Sequence, residues 1–192
     1  NKEMNHWSVI KKHKPDLLVL LGDNVYGDFV DINALNLKNA YKKLSLNSDY
    51  QNLIKDTFVL PIWDDHDFGK NDGGKEWLYK DISKKLFLDF FEVKANDVRR
   101  NREGVYSSWM IKNNDYRVKI ILLDTRTFKD KFKKNTTNEK KKYDITFDQN
   151  KTILGFKQWE WLENEFEESA DIYILASSIQ LISNNHGWES WN

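Results

Sequence analysis

An α/β fold, its sheet covered on both faces by helices, is the architecture that this chain of 192 residues predicts. Three observations point to it. Short apolar runs, Leu17 to Leu21, Phe58 to Trp63 and Ile172 to Ala176, are continuous rather than alternating, as in strands buried on both sides. Segments with helical apolar spacing lie between them. The strands end in polar clusters, at the carboxyl ends where open α/β sheets carry their ligands. Those clusters are Gly22-Asp23-Asn24, Asp64 to Asp67, Asp124 to Arg126 and Ser177 to Gln180.

Each element has its own signal. Glu3 to Lys14 reads as an amphipathic helix, with Met4, Trp7 and Ile10 on one face and Pro15 as its stop. Leu17 to Leu21 is the first buried strand. Asn33 to Lys55 reads as mostly helical, with Leu35, Tyr41, Leu44, Tyr50, Leu53 and Ile54 on its apolar faces. Phe58 to Trp63 is the next strand, and Gly69 to Gly74 carries turn chemistry. Ile82 to Phe91 has a wide helical stripe of Ile82, Leu86, Phe87, Phe90 and Phe91. Val105 to Ile111 and Arg117 to Leu123 form a hairpin across Lys112-Asn-Asn-Asp115. Phe128 to Thr152 is dense in Lys, Asn and Thr, and its 129–152 part reads as a solvated surface insertion in a single partial domain, 1–192. Gly155 to Glu168 is a helix with Phe156, Trp159, Leu162 and Phe166 on one face, and Ile172 to Ala176 is the last buried strand.

Composition narrows the function. Hydrophobic residues make up 40%, enough for a core, and eight Trp make it bulky. Thirty basic and thirty acidic residues leave no net charge, so nothing pulls the whole chain toward nucleic acid or a membrane. The absence of Cys excludes disulfides, zinc–thiolate sites and Cys nucleophiles within these residues. No run is long enough to span a membrane. The first residue is Asn, and the chain reads as an internal piece of a longer reading frame.

The chemistry concentrates at two strand ends. Trp63-Asp64-Asp65-His66-Asp67 closes one apolar run and Gly22-Asp23-Asn24-Val25-Tyr26 closes another. Carboxylates gathered beside a protein interior are costly unless neutralised, and a bound cation is the simplest neutraliser. Asp23 is placed to bridge two cations, Asp65 to hold the second, and Asn24 to support it. Tyr26, three residues after Asp23, is a phenolate donor suited to ferric iron. Hard oxygen donors favour calcium, magnesium, manganese or iron. A metal-activated hydroxide is then the nucleophile at neutral pH. His66 is the candidate acid for the leaving oxygen, oriented by Asp67 or Asp64. Plainer readings stand beside these. Gly22-Asp23-Asn24 suits a turn, and Asp64 to Asp67 suits a helix N-terminus. Asp124 and Arg126 read as a structural ion pair. Ser177 and Ser178 lack a His at a recognisable spacing. His186 fits either the site or a solvated loop, His6 and His13 fit the surface, and Trp159 and Trp161 fit packing.

The residues just named resemble the PhoD-like alkaline phosphatase family of the calcineurin-like metallophosphoesterases. Gly22-Asp-Asn-Val-Tyr-Gly-Asp28 and Trp63-Asp-Asp-His-Asp67 are followed in order by four further matches. These are Gly69-Lys-Asn-Asp-Gly-Gly74, Ile121-Leu-Leu-Asp-Thr-Arg126, Leu154-Gly155 with Gln158-Trp159 and Trp161-Leu162, and Ser177-Ser-Ile-Gln180 with Glu189-Ser-Trp191. The resemblance implies a two-sheet sandwich flanked by helices, with a metal cluster at its edge. It implies hydrolysis of phosphate mono- or diesters, with His66 catalytic, Asp23, Tyr26 and Asp65 as metal ligands, and Asn24, Asp64, Asp67 and Asn71 around them. It implies calcium and iron as cofactors, with manganese or magnesium as alternatives, and export of the parent protein. It also implies that further ligands, on a strand before residue 1 and in a Gly-Asp-x-His segment after Trp191, lie outside this chain. Two rivals are a purple acid phosphatase-like hydrolase, which normally has Asn where Asp65 stands, and a catalytically incomplete fragment serving as a binding module.

Overall fold

The computed structural model describes residues 4–137, 141–144, 148–182 and 186–191. The expected start of the first helix at Glu3, parts of the 129–152 segment and Asn184-Asn185 lie outside the described residues.

Helix α1 (His6–Lys12) buries Trp7 and ends ahead of Pro15. Strand β1 (Leu17–Leu21) follows. The helical stretch then divides into α2 (Leu35–Ser45) and α3 (Ser48–Ile54). The break has a local cause: Asn47 turns extended, and its Oδ1 accepts the Tyr50 N–H at 2.8 Å, so a second helix starts there. Leu37, Tyr41, Leu44, Tyr50 and Leu53 face the core, whereas Leu35 is exposed. Strand β2 (Phe58–Ile62) lies parallel to β1, from Leu17 opposite Phe58 to Leu21 opposite Ile62. It runs directly into the one-turn helix α4 (Asp65–Phe68). Helix α5 (Lys80–Phe90) packs into the same core as the pair, with Phe90 stacked on Tyr41 at 4.6 Å, and the short α6 (Val98–Asn101) follows.

The second sheet joins β3 (Ser107–Lys112), β4 (Arg117–Leu123) and a later strand. The first two form the expected antiparallel hairpin. After the two-residue strands β5 (Lys133–Lys134) and β6 (Tyr143–Asp144), which pair antiparallel, helix α7 (Gly155–Glu167) leads to β7 (Ile172–Ser177). Strand β7 lies parallel to β4, giving the order β3-β4-β7. The expected α/β class with two principal sheets is therefore present. A buried hydrogen bond joins the sheets near the carboxyl ends of β2 and β4: Trp63 Nε1 donates to Asp124 Oδ1 at 2.8 Å.

Three burial expectations need correction. Strand β1 is half-buried rather than buried, and its last residue, Leu21, is exposed. Residues Ile172 to Leu175 of β7 are exposed as well, on both faces of a strand that is also the edge of its sheet among the described residues. On α7, Phe156, Trp159 and Phe166 face outward, and the buried face carries Gly155, Gln158 and Leu162. A polar anchor sets that rotation. The Gln158 amide exchanges two 2.8 Å hydrogen bonds with the Asp124 backbone, accepting from its N–H and donating to its carbonyl. No helix among the described residues is long and apolar enough to cross a membrane.

Candidate metal centre

The site begins with two neighbouring strand ends. At the end of β1, Gly22 has φ +100, and a Cβ placed there would lie 2.4 Å from Asp64 Cβ and 2.5 Å from Asp64 N. Only glycine lets the β1 turn approach the β2 turn this closely. Asp23 itself takes φ 50, a left-handed conformation that Asp tolerates better than most residues. At the end of β2, Asp64 is the N-cap of α4, and its N–H donates to Asp67 Oδ1 at 2.6 Å, one half of a capping box. The first turn of α4 then presents Asp65 and His66 toward Asp23. Asp23, Asp65 and His66 each place one ligating atom within 4.8 Å of the others.

Other predicted residues brace this arrangement. Asn24 Nδ2 donates to the Ile62 carbonyl at 2.9 Å and to Asp67 Oδ2 at 2.5 Å, tying the β1 turn to β2 and α4. Asp67 is fully buried behind the cluster, and burial holds its carboxyl well above the usual range against the hydrogen bonds from Asp64 and Asn24. Asp64 binds the Arg126 guanidinium, with Oδ1 at 2.6 Å from Nε. Neither Asp67 nor Asp64 orients the His66 ring. That place belongs to Asp28, whose Oδ2 lies 2.5 Å from His66 Nδ1. Its other oxygen accepts the Asn71 N–H at 2.6 Å, so Asn71 contributes its backbone. Tyr26 rests its exposed ring on the His66 imidazole, with centroids 4.3 Å apart.

The electrostatics are those of crowded, partly dried carboxylates. Burial and the neighbouring Asp65 raise the Asp23 pKa, although the Tyr26 hydroxyl donates to it. That same hydrogen bond pushes the Tyr26 phenol up to about 12. Burial pulls the His66 pKa down, but Asp28, Asp65 and Asp23 outweigh it and leave the imidazole raised.

A second carboxylate group, Asp65, Asp72 and Glu189, also has ligating atoms within 4.8 Å of one another. It is already neutralised by side chains. Arg126 Nη1 reaches Glu189 at 2.7 Å, Lys129 Nζ reaches it at 2.8 Å, and Lys142 pairs with Asp72. The expected Asp124–Arg126 ion pair does not form, because the guanidinium goes to Asp64 and Glu189. Asp124 instead accepts from the N–H groups of Val105, Arg126 and Thr127, the Thr127 hydroxyl and the Trp63 indole. Ser177 Oγ lies on the Ile179 carbonyl and Ser178 Oγ on Thr125 Oγ1, so neither is aimed at a His. Both carboxylate groups open onto a cleft of about 370 Å³ whose walls include His186 and Trp188. A larger half-open cleft of about 930 Å³ reaches Asp23 and Tyr26 from the α1–α2 side.

The first group suits a hard cation. Its carboxylates are hard oxygen donors, and among the described residues no Lys or Arg is bonded to Asp23 or Asp65 to relieve their mutual repulsion. The structure thus brings together the predicted Asp23, Asp65, His66 and Tyr26, and sets Asn24, Asp64 and Asp67 as their frame. Sequence reasoning missed Asp28, Arg126 and Glu189 as site residues. Asp28 closes the Gly22 to Asp28 motif and Glu189 opens Glu-Ser-Trp, so their positions beside strand-end motifs were the available signal. Lys142 had none, being one lysine in a run of them.

A family model described as PhoD-like phosphatase matches residues 1–191. A solved structure of PhoD is similar to this chain with a TM-score of 0.66 at 18% identity. The match covers 91% of this chain and 38% of that one, so the chain spans about two-fifths of that protein's length. At this identity the likeness speaks for the fold. No curated protein matches the chain.

Proposed function

The chain belongs to the PhoD-like phosphatase family, and from that premise we propose that it is the part of a metal-dependent phosphoester hydrolase that carries the Asp23–Asp65–His66 site. The observation that carries this reading is the convergence of two carboxylates and an imidazole, with one atom of each within 4.8 Å of the others, at the carboxyl ends of two parallel strands. Asp23 and Asp65 would hold the cation, with Tyr26 as a further oxygen donor. Calcium, iron, manganese and magnesium all fit such donors. A bound cation there supplies Lewis acidity toward a phosphoryl oxygen and lowers the pKa of water.

The chain's own residues account for the rest. With Nδ1 held by Asp28, the His66 imidazole has Nε2 left to hand a proton to the leaving oxygen. In the metal-free chain, against the pull of burial, Asp28, Asp65 and Asp23 together raise the His66 pKa, and the Asp28 hydrogen bond is the contribution that does not depend on the two proposed ligands. Asp28 fixes the tautomer and the ring angle, and the Asn71 N–H fixes Asp28. Asn24 and Asp67 hold the two strand ends at the spacing the carboxylates need.

The test is metal analysis and hydrolysis of p-nitrophenyl phosphate and its bis ester by the purified chain and three variants. Asp23→Ala and Asp65→Ala should lose both metal and activity. His66→Ala should keep its metal and lose roughly two to four orders of magnitude in turnover. Unchanged metal content in the two Asp variants would overturn the ligand assignment. Parallel loss of metal and turnover in His66→Ala would make His66 a ligand rather than the acid.

A further inference from the structure

The cleft holds a cation that the proposed hydrolysis does not use. Three basic side chains surround the Asp65–Asp72–Glu189 wall. Those of Arg126 and Lys129 are almost fully buried, with 3% and 2% exposure, and each is fixed at two sites: Arg126 on Asp64 and Glu189, Lys129 on Glu189 and the Asp72 carbonyl. Lys142 differs. Its side chain is 38% exposed, and among the described residues its ammonium pairs with a single carboxylate, that of Asp72. Its backbone is pinned, since its N–H donates to the Gly187 carbonyl at 2.7 Å and its carbonyl accepts the Asn135 N–H at 3.0 Å. The backbone is thus anchored while the side chain reaches into the cleft with part of its surface open to solvent. The rings of Tyr143 and Trp188, each 5.6 Å from Nζ, flank that end.

We propose that Lys142 is a specificity-determining contact for a second phosphoryl group, so that the preferred substrates are phosphoesters carrying two phosphoryl groups a few bonds apart. This rests on the phosphoester reading of the same site. One phosphoryl group at Asp23, Asp65 and His66 has no need of Lys142. Asp65, however, is within 4.8 Å of both that cluster and the Asp72 carboxylate that Lys142 holds. A neighbouring phosphoryl group on the same molecule therefore falls beside Lys142. The exchange of partners is favourable. The Lys142–Asp72 pair is partly exposed and its carboxylate carries one charge, whereas a hydrogen bond from ammonium to a doubly charged phosphoryl group is stronger. Asp72 is not left bare by the exchange, because the Tyr143 hydroxyl hydrogen-bonds to it.

The experiment compares 2,3-bisphosphoglycerate, whose phosphoryl groups sit on adjacent carbons, with 3-phosphoglycerate on the full chain in manganese. Binding is read by calorimetry in a His66→Asn background that slows turnover, and acetylation of Lys142 is mapped by mass spectrometry with each ligand present. The expected result is that the bisphosphate binds about tenfold tighter and protects Lys142 from acetylation, while the monophosphate does not protect it. Lys142→Gln should erase that preference, and Lys142→Arg should restore most of it. An equal effect of Lys142→Gln on both ligands, no preference in the starting protein, or no protection would overturn the proposal. Hydrolysis of either ester by the chain with His66 intact is scored separately. Its absence with Lys142 protection present counts against the hydrolase reading and leaves the Lys142 contact standing.

Discussion

Replacing Gly22 by Ala tests whether the close approach of the two strand ends builds the metal centre. The added Cβ would lie 2.4 Å from Asp64 Cβ, 2.5 Å from Asp64 N and 2.8 Å from the Trp63 carbonyl carbon. Two of those atoms are backbone, and Trp63 is buried, so neither neighbour yields cheaply. The strained φ of +100 costs an L-residue about 1–2 kcal/mol, and the overlap adds about 1–3 kcal/mol. The sum, about 2–5 kcal/mol, is a large share of a typical domain's stability. The chain's cheapest relief is to move Asp64 away from Gly22, which also separates Asp65 from Asp23. Manganese affinity should therefore fall about tenfold or more, the usual scale for disturbed ligand support. Gly155→Ala is the control. It has φ +68 and would meet the Phe128 side chain at 2.8 Å, so it shares the strain but touches no cluster residue. Urea unfolding followed by Trp fluorescence gives stability, and calorimetry under native conditions gives manganese affinity. The reasoning fails if Gly22→Ala costs under about 1 kcal/mol with affinity unchanged, or if Gly155→Ala weakens metal binding as much.

Three further outcomes are expected. Asp28→Asn should lower kcat roughly 10- to 100-fold with little change in KM or metal content, because it loosens the His66 ring without touching Asp23 or Asp65; a loss confined to KM would contradict this. Arg126→Met should cost about 3–5 kcal/mol in urea unfolding, since it leaves Asp64 and Glu189 as buried charges without that partner; a change within about 0.5 kcal/mol would show the network to be incidental. The third concerns pH. Burial lifts the Asp64 carboxyl to about 6, from an ordinary value of 3.8, and raises Asp23 as well. The folded metal-free chain then takes up protons that the unfolded chain does not, so its stability should rise as pH falls from about 6 toward 4. The Asp64 part amounts to about 2 kcal/mol. Thermal melts between those values check the sign, and a melting temperature that falls steadily across the window would refute it.

Much of the fold was legible because its signals are local. Strand ends, hairpin and helices follow from apolar runs, turn residues and Pro15, and the strand-end carboxylates marked the site. What stayed hidden depended on tertiary partners. The rotation of α7 is set by Gln158 gripping the Asp124 backbone, a contact across 34 residues that no helical period encodes. The interruption between α2 and α3 rests on one Asn side chain. The orientation of His66 by Asp28 spans 38 residues, and proximity in sequence favoured Asp64 or Asp67 instead. Arg126 passed over the nearby Asp124 because that carboxylate is already surrounded by backbone donors.

The outer margin of β7 has a practical consequence. Ile172, Tyr173, Ile174 and Leu175 face solvent on a strand with one side unpaired among the described residues. Such a margin is a template onto which foreign backbone can add, and its apolar side chains reward the addition. In concentrated samples this seam will govern how well the purified polypeptide stays dispersed. A lysine at Ile174 is the natural place to begin making it tractable.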